Sequence, residues 1–328
     1  MKTYHIYGVG NALVDFEYSV TESDLGAMAI DKGVMTLIDA ERHDLLVDSL
    51  SDTDSHKASG GSAANTVIAA AQLGAKTYYS CKVANDDAGT FYMQDLQAAN
   101  VDSNLSMDNR EAGTTGKCIV MVTPDADRTM STFLGITSQF GERELDPAAI
   151  KDSEYLYMEG YLVTEEGARQ AAVKAREIAE AAQVKTALTL SDPNMVQFFK
   201  DGLLDMAGNT LDLAFCNLAE ARLMFDCESV EDCAAGMRGL AKQFAITLGP
   251  DGALLFDGQD TSTVEAAAVE AVDSNGAGDM FAGVFLYGLT HGKSFRECGE
   301  MASKAASELV TRHGPRLDQA KLKQVVGV

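Results

Sequence analysis

The chain alternates between short apolar runs and longer stretches in which apolar residues recur every three or four positions. Residues 4–9 form an apolar run stopped by Gly8-Val9-Gly10-Asn11, which predicts a first strand and its turn. Between 15 and 39 the pattern alternates (Phe16, Tyr18, Val20; then Val34, Thr36, Ile38), a period of two that predicts strands of a small subdomain. The glycine pair at 60–61 opens an alanine-rich helix reaching Gly74, followed by a strand over 77–83 and a helix over 86–100. Further strands are predicted over 117–123 and 129–134. From 155 onward the two periods take turns. Strands fall at 155–158, 186–190, 213–216 and 244–248, and helices at 165–183, 218–225, 230–242, 276–290 and 294–312. Strands separated by helices in this way make a parallel sheet covered on both faces. Neither a proline-rich linker nor a repeat interrupts the pattern. The expectation is one α/β domain over 1–328, with a lid inserted as two segments, roughly 16–39 and 110–137.

Composition keeps that picture globular. Hydrophobic residues make up 46% and charged residues 23%, which excludes a disordered chain, collagen and a coiled coil. Charge narrows the partners: 26 basic against 49 acidic residues leave a net −23. Such a field repels nucleic acid and anionic membrane, so neither is expected as a partner. A phosphate ligand stays open, because backbone dipoles or a metal can hold it locally, and the acidity also serves plain solubility. The six cysteines (Cys81, Cys118, Cys216, Cys227, Cys233 and Cys298) contain no CxxC pair and fit neither a zinc site nor a disulfide scaffold. Reduced, buried thiols in a cytoplasmic enzyme are therefore expected. The longest nearly apolar run, 280–290, is too short to span a bilayer, and the first strand follows Met1 with no apolar signal segment.

Two phosphate-binding patterns fail. Gly8-x-Gly10 has Leu13 where a dinucleotide fingerprint needs its third glycine, and no helix pattern follows. Gly116-Lys117 has Glu111 at the leading glycine of a phosphate loop and Cys118 in place of its Ser/Thr. The histidines (His5, His43, His56, His291 and His313) show no metal spacing.

What survives is Asp273-Ser274-Asn275-Gly276-Ala277-Gly278-Asp279, with an apolar helix starting at once. A helix N-terminus offers unpaired N–H groups and a partial positive charge, and glycines let an anion approach them. Such a nest suits a phosphoryl group in transfer, whose negative charge spreads over its oxygens. Asp279 in the first turn could take the proton of an attacking hydroxyl; the same residue could also merely complement the helix dipole. Its ordinary pKa, roughly 4, lies far below that of an alcohol, so the proton would move late, driven by the forming phosphorus–oxygen bond.

The motif at 273–279 resembles the second signature of the ribokinase-like (PfkB) carbohydrate kinase family. Gly60-Gly61-Ser62-Ala63-Ala64-Asn65, with Gly74 and Gly89 beyond it, resembles the first, and the likeness runs from Gly10 to Gly314. Within the family the chain looks most like adenosine kinases, through Asn275, through Gly10-Asn11 to Asp15, and through Arg128 to Leu134. The resemblance implies a ribokinase-like three-layer α/β/α fold with a mostly parallel sheet and a small β-sheet lid. It implies ATP-dependent phosphorylation of the 5′-hydroxyl of a ribonucleoside, adenosine to AMP, with Mg²⁺ and, in many members, K⁺. Asp279 is then the base, and Gly276, Ala277 and Gly278 the anion hole. Asp15 would grip vicinal hydroxyls, with Gly61, Ser62 and Asn65 on the same ring; helix-start capping is the other reading of Asn65. Asn11, Leu13, Leu134 and Tyr161 would flank sugar and base, although Tyr161 also suits an ordinary core position. One pair among Met35, Thr36, Leu37 and Ile38 would line the lid side, with strand parity open. Arg128 would clamp phosphate or pair with an acidic neighbour. Asn217, Thr247, Gly249, Gly252 and Asn275 would hold ATP. Glu220 would organise Mg²⁺ through water, or simply complete a helix cap with Asn217. Asp273, the Asn275 backbone and the Gly314 region match the family's potassium site.

A sugar kinase for ribose or fructose is the rival reading, which Asp192-Pro193-Asn194 supports. A regulator that has lost catalysis would not need an intact Asp279 and two glycines. Either a monomer or a homodimer fits.

Overall fold

The structure is a computed structural model that describes residues 2–51, 53 and 55–328. Among these residues the chain runs β1 (Tyr4–Val9), β2 (Leu13–Ser19), α1 (Glu22–Ala27), β3 (Met35–Leu37), α2 (Ala40–Ser49), β4 (Ser55–Gly60), α3 (Ser62–Leu73), β5 (Thr77–Ser80), α4 (Asp87–Ala98), β6 (Val101–Ser103), β7 (Gly116–Val122) and β8 (Arg128–Phe133). It continues α5 (Pro147–Lys151), β9 (Ser153–Glu159), α6 (Glu166–Ala181), β10 (Lys185–Thr189), α7 (Pro193–Ala207), β11 (Leu211–Asn217), α8 (Leu218–Phe225), α9 (Val230–Leu240), β12 (Ala241–Thr247), β13 (Ala253–Phe256), β14 (Thr261–Val264), α10 (Ala277–Thr290), α11 (Phe295–Leu309) and α12 (Gln319–Val326).

Two sheets result. The large one has the order β14-β13-β12-β11-β10-β9-β1-β5-β6 and is parallel except for the β13–β14 edge. Its central strands are buried on both faces, and separate apolar cores flank it. Amphipathic α6 shows how a helix joins such a layer: Ala168, Ala171, Ala172, Ala175 and Ala179 form one buried stripe of small residues, so the helix lies close to the sheet. By contrast α10 is buried at every residue from Met280 to Gly288, as its apolar run predicts. No helix among the described residues is long and apolar enough to cross a membrane.

The small sheet, β3-β8-β7-β2-β4, is the lid. Here the structure departs from the sequence reading. Between β2 and β3 the chain forms a helix, α1, not a further strand. Thr21 and Asp24 close a reciprocal cap at its start, which outweighs the alternation around it. The lid also takes β4 from outside both expected segments. That strand, Ser-His-Lys-Ala-Ser-Gly, lacks an apolar alternation because its outer half is exposed. The expectation of wholly reduced cysteines is also corrected: Cys227 and Cys233 are joined as a disulfide, their Cα atoms 5.8 Å apart across the turn from α8 to α9. Cys81, Cys118, Cys216 and Cys298 are free and buried.

Only Gly10-Asn11-Ala12 separates β1 of the large sheet from β2 of the lid, and β4 returns to the large layer directly through Gly61 into α3. Both crossings lie at the carboxyl ends of the parallel strands, where open α/β sheets form their ligand crevice.

Candidate active site

A cavity lies between the carboxyl edge of the large sheet and the lid. Its floor begins with α10. Gly276 is the N-cap with φ +74°, and a Cβ there would stand 2.4 Å from the Pro315 carbonyl oxygen, so only glycine fits. Gly278 differs: nothing lies within 4 Å of where its Cβ would be. Asp279 follows in the first helical turn. Its carboxylate accepts from Ser62 Oγ at 2.7 Å and from Asn65 Nδ2 at 3.0 Å. The contact is possible because α3 and α10 cross closely at Gly283, where a Cβ would be 2.4 Å from the Thr66 carbonyl oxygen. Burial pushes the Asp279 carboxyl above its ordinary value, against the two hydrogen bonds and Arg128, which pull the other way.

The N-terminus of α3 is held differently. Gly61 caps it with φ +99°, and a Cβ there would lie 2.2 Å from the Asn11 carbonyl oxygen. Glu159, at the end of β9, accepts from Asn11 N at 2.7 Å and from Ala63 N at 2.8 Å, which fastens the β1–β2 crossing to the start of α3. Glu159 is fully buried and its carboxyl is raised to about 7 by that burial.

The walls follow from strand parity. Leu13 and Asp15 share a face of β2 and line the cavity. Asp15 lies against Gly60, where any side chain would strike its carboxylate, and burial raises its carboxyl to about 7 despite Arg316 nearby. From the lid come Met35, Leu37, Cys118, Met130, Thr132 and Leu134. The open question of β3 parity is thereby answered: Met35 and Leu37 face the cavity, Thr36 and Ile38 do not. Asn11, Gly61, Ser62, Asn65, Tyr161 and Asn275 also border it. Tyr161 is half-buried with its hydroxyl 3.5 Å from the Ser191 carbonyl oxygen. Arg128, at the start of β8, donates to Asn275 Oδ1 at 3.3 Å, so the lid already touches the loop ahead of α10. Of the cavity-lining residues, Asn65 and Asn275 each hold a buried amide atom with no partner, Oδ1 and Nδ2 respectively.

Another group lies farther along the same sheet edge. Asn217 and Thr247 are register partners at the ends of β11 and β12. Gly249 and Gly252 follow in a tight turn, both at positive φ; a Cβ on Gly252 would stand against the Val264 carbonyl oxygen, while Gly249 faces open space. Glu220 is in the helix cap that its spacing allows: Oε1 accepts from Asn217 Nδ2 at 2.7 Å and Oε2 from Asn217 N at 3.0 Å. Burial raises it to about 7, and Asp192 and Asp279 add to the effect. Asp192 itself caps α7, and Asn194 Nδ2 reaches the Met35 carbonyl at 3.4 Å, so this tripeptide supports the lid strand. Asp273 is buried beneath the α10 loop, accepting from Asn275 N at 2.8 Å and Gly314 N at 2.9 Å.

Sequence reasoning missed Glu159, Cys118, Met130, Thr132, Thr164 and Ser191, all of which border the cavity. Glu159 left one usable sign, a lone carboxylate ending the apolar run Tyr155-Leu156-Tyr157-Met158. Cys118, Met130 and Thr132 enter through the pairing of the lid strands β7 and β8, while Thr164 and Ser191 enter from the segments that follow β9 and β10 of the large sheet.

Comparison with known proteins places this arrangement. A sequence model of the pfkB family carbohydrate kinases matches residues 27–322. The adenosine kinase of Saccharomyces cerevisiae is 27% identical over 338 residues, covering 96% of this chain and 97% of that protein. The structure of a probable sugar kinase from Rhizobium etli superposes with a TM-score of 0.92 at 32% identity, over 100% of this chain and 99% of that one. An adenosine kinase from Sinorhizobium meliloti superposes with a TM-score of 0.91, also at 32% identity, over 98% of each chain.

Proposed function

The chain belongs to the pfkB family of carbohydrate kinases, phosphotransferases with an alcohol group as acceptor, and from that premise we propose that it transfers the γ-phosphoryl group of ATP to the 5′-hydroxyl of adenosine or a close ribonucleoside. The observation that carries this reading is the two-sided cavity. One side presents Asp15, Asn65 and Asp279; the other is the largely apolar wall of Met35, Leu37, Met130 and Leu134. A ribose needs the polar side alone, whereas a ribonucleoside also buries a planar base against apolar side chains.

Each residue then has a task. The Asp15 carboxylate accepts hydrogen bonds from two vicinal ribose hydroxyls, and the unpartnered Asn65 Oδ1 accepts a third. Leu13, Leu134 and Tyr161 border the base. Ser62 and Asn65 aim the Asp279 carboxylate at the 5′-hydroxyl. As the oxygen–phosphorus bond forms and the bond to the leaving ADP oxygen breaks, Asp279 receives the hydroxyl proton. The backbone N–H groups after Gly276, with open space at Gly278, meet the transferring phosphoryl oxygens. Arg128 and the unpartnered Asn275 Nδ2 point two further donors at the same charge. ATP would lie along the edge of Asn217, Thr247, Gly249 and Gly252.

The Glu220 carboxylate suits a hydrated magnesium ion: it offers oxygen atoms alone, and, held by two N–H bonds, it keeps lone pairs for bound waters. Magnesium there would neutralise the phosphate charge. Closing the lid over the acceptor would keep water, the competing nucleophile, from the phosphorus. Cytoplasmic purine salvage is the setting in which this reaction would serve.

A phosphorylation assay across adenosine, inosine, cytidine, ribose and fructose tests the substrate. Adenosine should give the highest kcat/KM, with AMP as product. A preference for a free sugar would overturn the nucleoside reading in favour of a ribose- or fructose-type kinase, as the likeness to the probable sugar kinase allows.

A further inference from the structure

The chain between β11 and β12 is a helical hairpin of α8 and α9, and the disulfide of Cys227 and Cys233 spans its turn. Cys227 lies just past Asp226, the residue that ends α8 in the left-handed region at φ +51°. Ser229 then caps α9, its Oγ accepting from Asp232 N at 3.0 Å. Cys233 is 0% exposed within α9, whereas Cys227 is only partly buried. The two helices also touch through Phe225, whose ring lies against Gly236; a Cβ there would stand 2.4 Å from it. The other four cysteines are of a different kind. Cys81, Cys118, Cys216 and Cys298 are free and buried, and burial pushes each thiol up, so they stay protonated and out of reach.

We propose that Cys227–Cys233 is a reversible thiol–disulfide site, opened in the folded protein by a small thiol or dithiol at Cys227, and that the closed bridge holds the α8–α9 hairpin against local opening. Access sets the direction of attack, because Cys227 alone among the six sulfurs is reachable from solvent. A thiolate bonds to Cys227 Sγ, the sulfur–sulfur bond breaks, and Cys233 leaves as a thiolate that takes up a proton. A second thiolate attacks the reductant's sulfur in the mixed disulfide and frees Cys227. Two electrons pass to the protein, and the reductant departs as its disulfide. The opened state stays folded, since Cys233 remains a small apolar residue in the core and Phe225 still packs on Gly236. What it loses is the tether across the turn, so the end of α8 and the start of α9 open more often. Because α8 begins at Asn217 and carries Glu220 in its first turn, the bridge steadies the far end of the helix that borders the candidate nucleotide edge.

The test uses the full chain without nucleotide. Alkylation of the denatured, unreduced protein should find four free thiols, those of Cys81, Cys118, Cys216 and Cys298. Treating the native protein with dithiothreitol first should add two, mapping to Cys227 and Cys233. Reduction should lower Tm by about 2–6 °C and speed amide exchange over residues 225–233 about tenfold, and oxidised glutathione should reverse both. Cys227→Ser should melt with the reduced parent and be indifferent to dithiothreitol. Six free thiols in the protein kept under air overturn the proposal, as does a bridge that dithiothreitol opens only after denaturation. Unchanged Tm and exchange on reduction overturn it too. So does an equal fall in Tm when Cys227→Ser is reduced, which would place the effect at another sulfur.

Discussion

Two helix N-termini meet at Asp279, and they are built on opposite plans. Both begin at a glycine with positive φ whose Cβ would collide with a backbone carbonyl: Gly61 ahead of α3, and Gly276 ahead of α10. The α3 end is spoken for, since Glu159 takes its Ala63 N–H and Ser62 and Asn65 turn to Asp279. The α10 end is left open, with empty space around Gly278. The same local geometry thus braces in one place and receives an anion in the other. What decides between them is whether the fold supplies an internal carboxylate to occupy the free N–H groups.

The largest expected effect tests the residue they share. Asp279→Asn keeps the hydrogen bond from Ser62 but loses the proton acceptor, so kcat should fall by about 10²–10⁴-fold while acceptor binding survives. Turnover near that of the unaltered chain would end the base assignment. In the unaltered chain the acid limb of kcat should lie above the ordinary carboxylate range of roughly 4, since burial raises the Asp279 carboxyl and turnover needs its ionised form.

A pair of glycine substitutions tests the contrast itself. Gly278→Ala should leave Tm unchanged or slightly raised, since alanine favours helix by about 1 kcal/mol and nothing blocks its methyl group. It should nevertheless cut kcat about 10- to 1,000-fold by filling the anion's space. Gly61→Ala should do the reverse in kind, costing about 1–3 kcal/mol of stability through its φ of +99° and the Asn11 carbonyl. If Gly278→Ala melts early with normal turnover, the two termini do not differ as described.

Glu159→Gln should give the smallest change. Its amide nitrogen would face a backbone N–H, a mismatch worth about 1–3 kcal/mol. The gap should also depend on pH. The folded-state value of Glu159, about 7, lies above the unfolded one. Between those values the folded chain binds more protons, so the unaltered chain loses stability as pH rises through that window. The difference in Tm between variant and parent should therefore be widest near pH 5 and narrow by pH 8. A gap independent of pH would sink this account of Glu159.

How much of this was legible beforehand follows from where the information sits. The parallel half was readable because each strand and helix repeats its own period over consecutive residues. The α10 terminus was readable because its glycines, its aspartate and its apolar helix are contiguous. The α3 terminus was only half readable: Gly61 and Asn65 stood out, yet the brace that defines it comes from Glu159, 96 residues from Ala63. The lid was least readable. β4 is a polar strand that owes its place to pairing with β2, and α1 is fixed by one capping pair inside an alternating stretch. Cys118 and Thr132 enter the cavity only because β7 and β8 pair in that register.

The three residues between β1 and β2 have a consequence of another kind. Asn11 borders the cavity from the very peptide that links the two sheets, and Leu13 and Asp15 follow it at the start of β2. A molecule gripped there would also tie the two sheets together at the point where the chain passes between them. Ligand contact and inter-sheet connection therefore share one short stretch of chain, so a substitution at Asn11 bears on both.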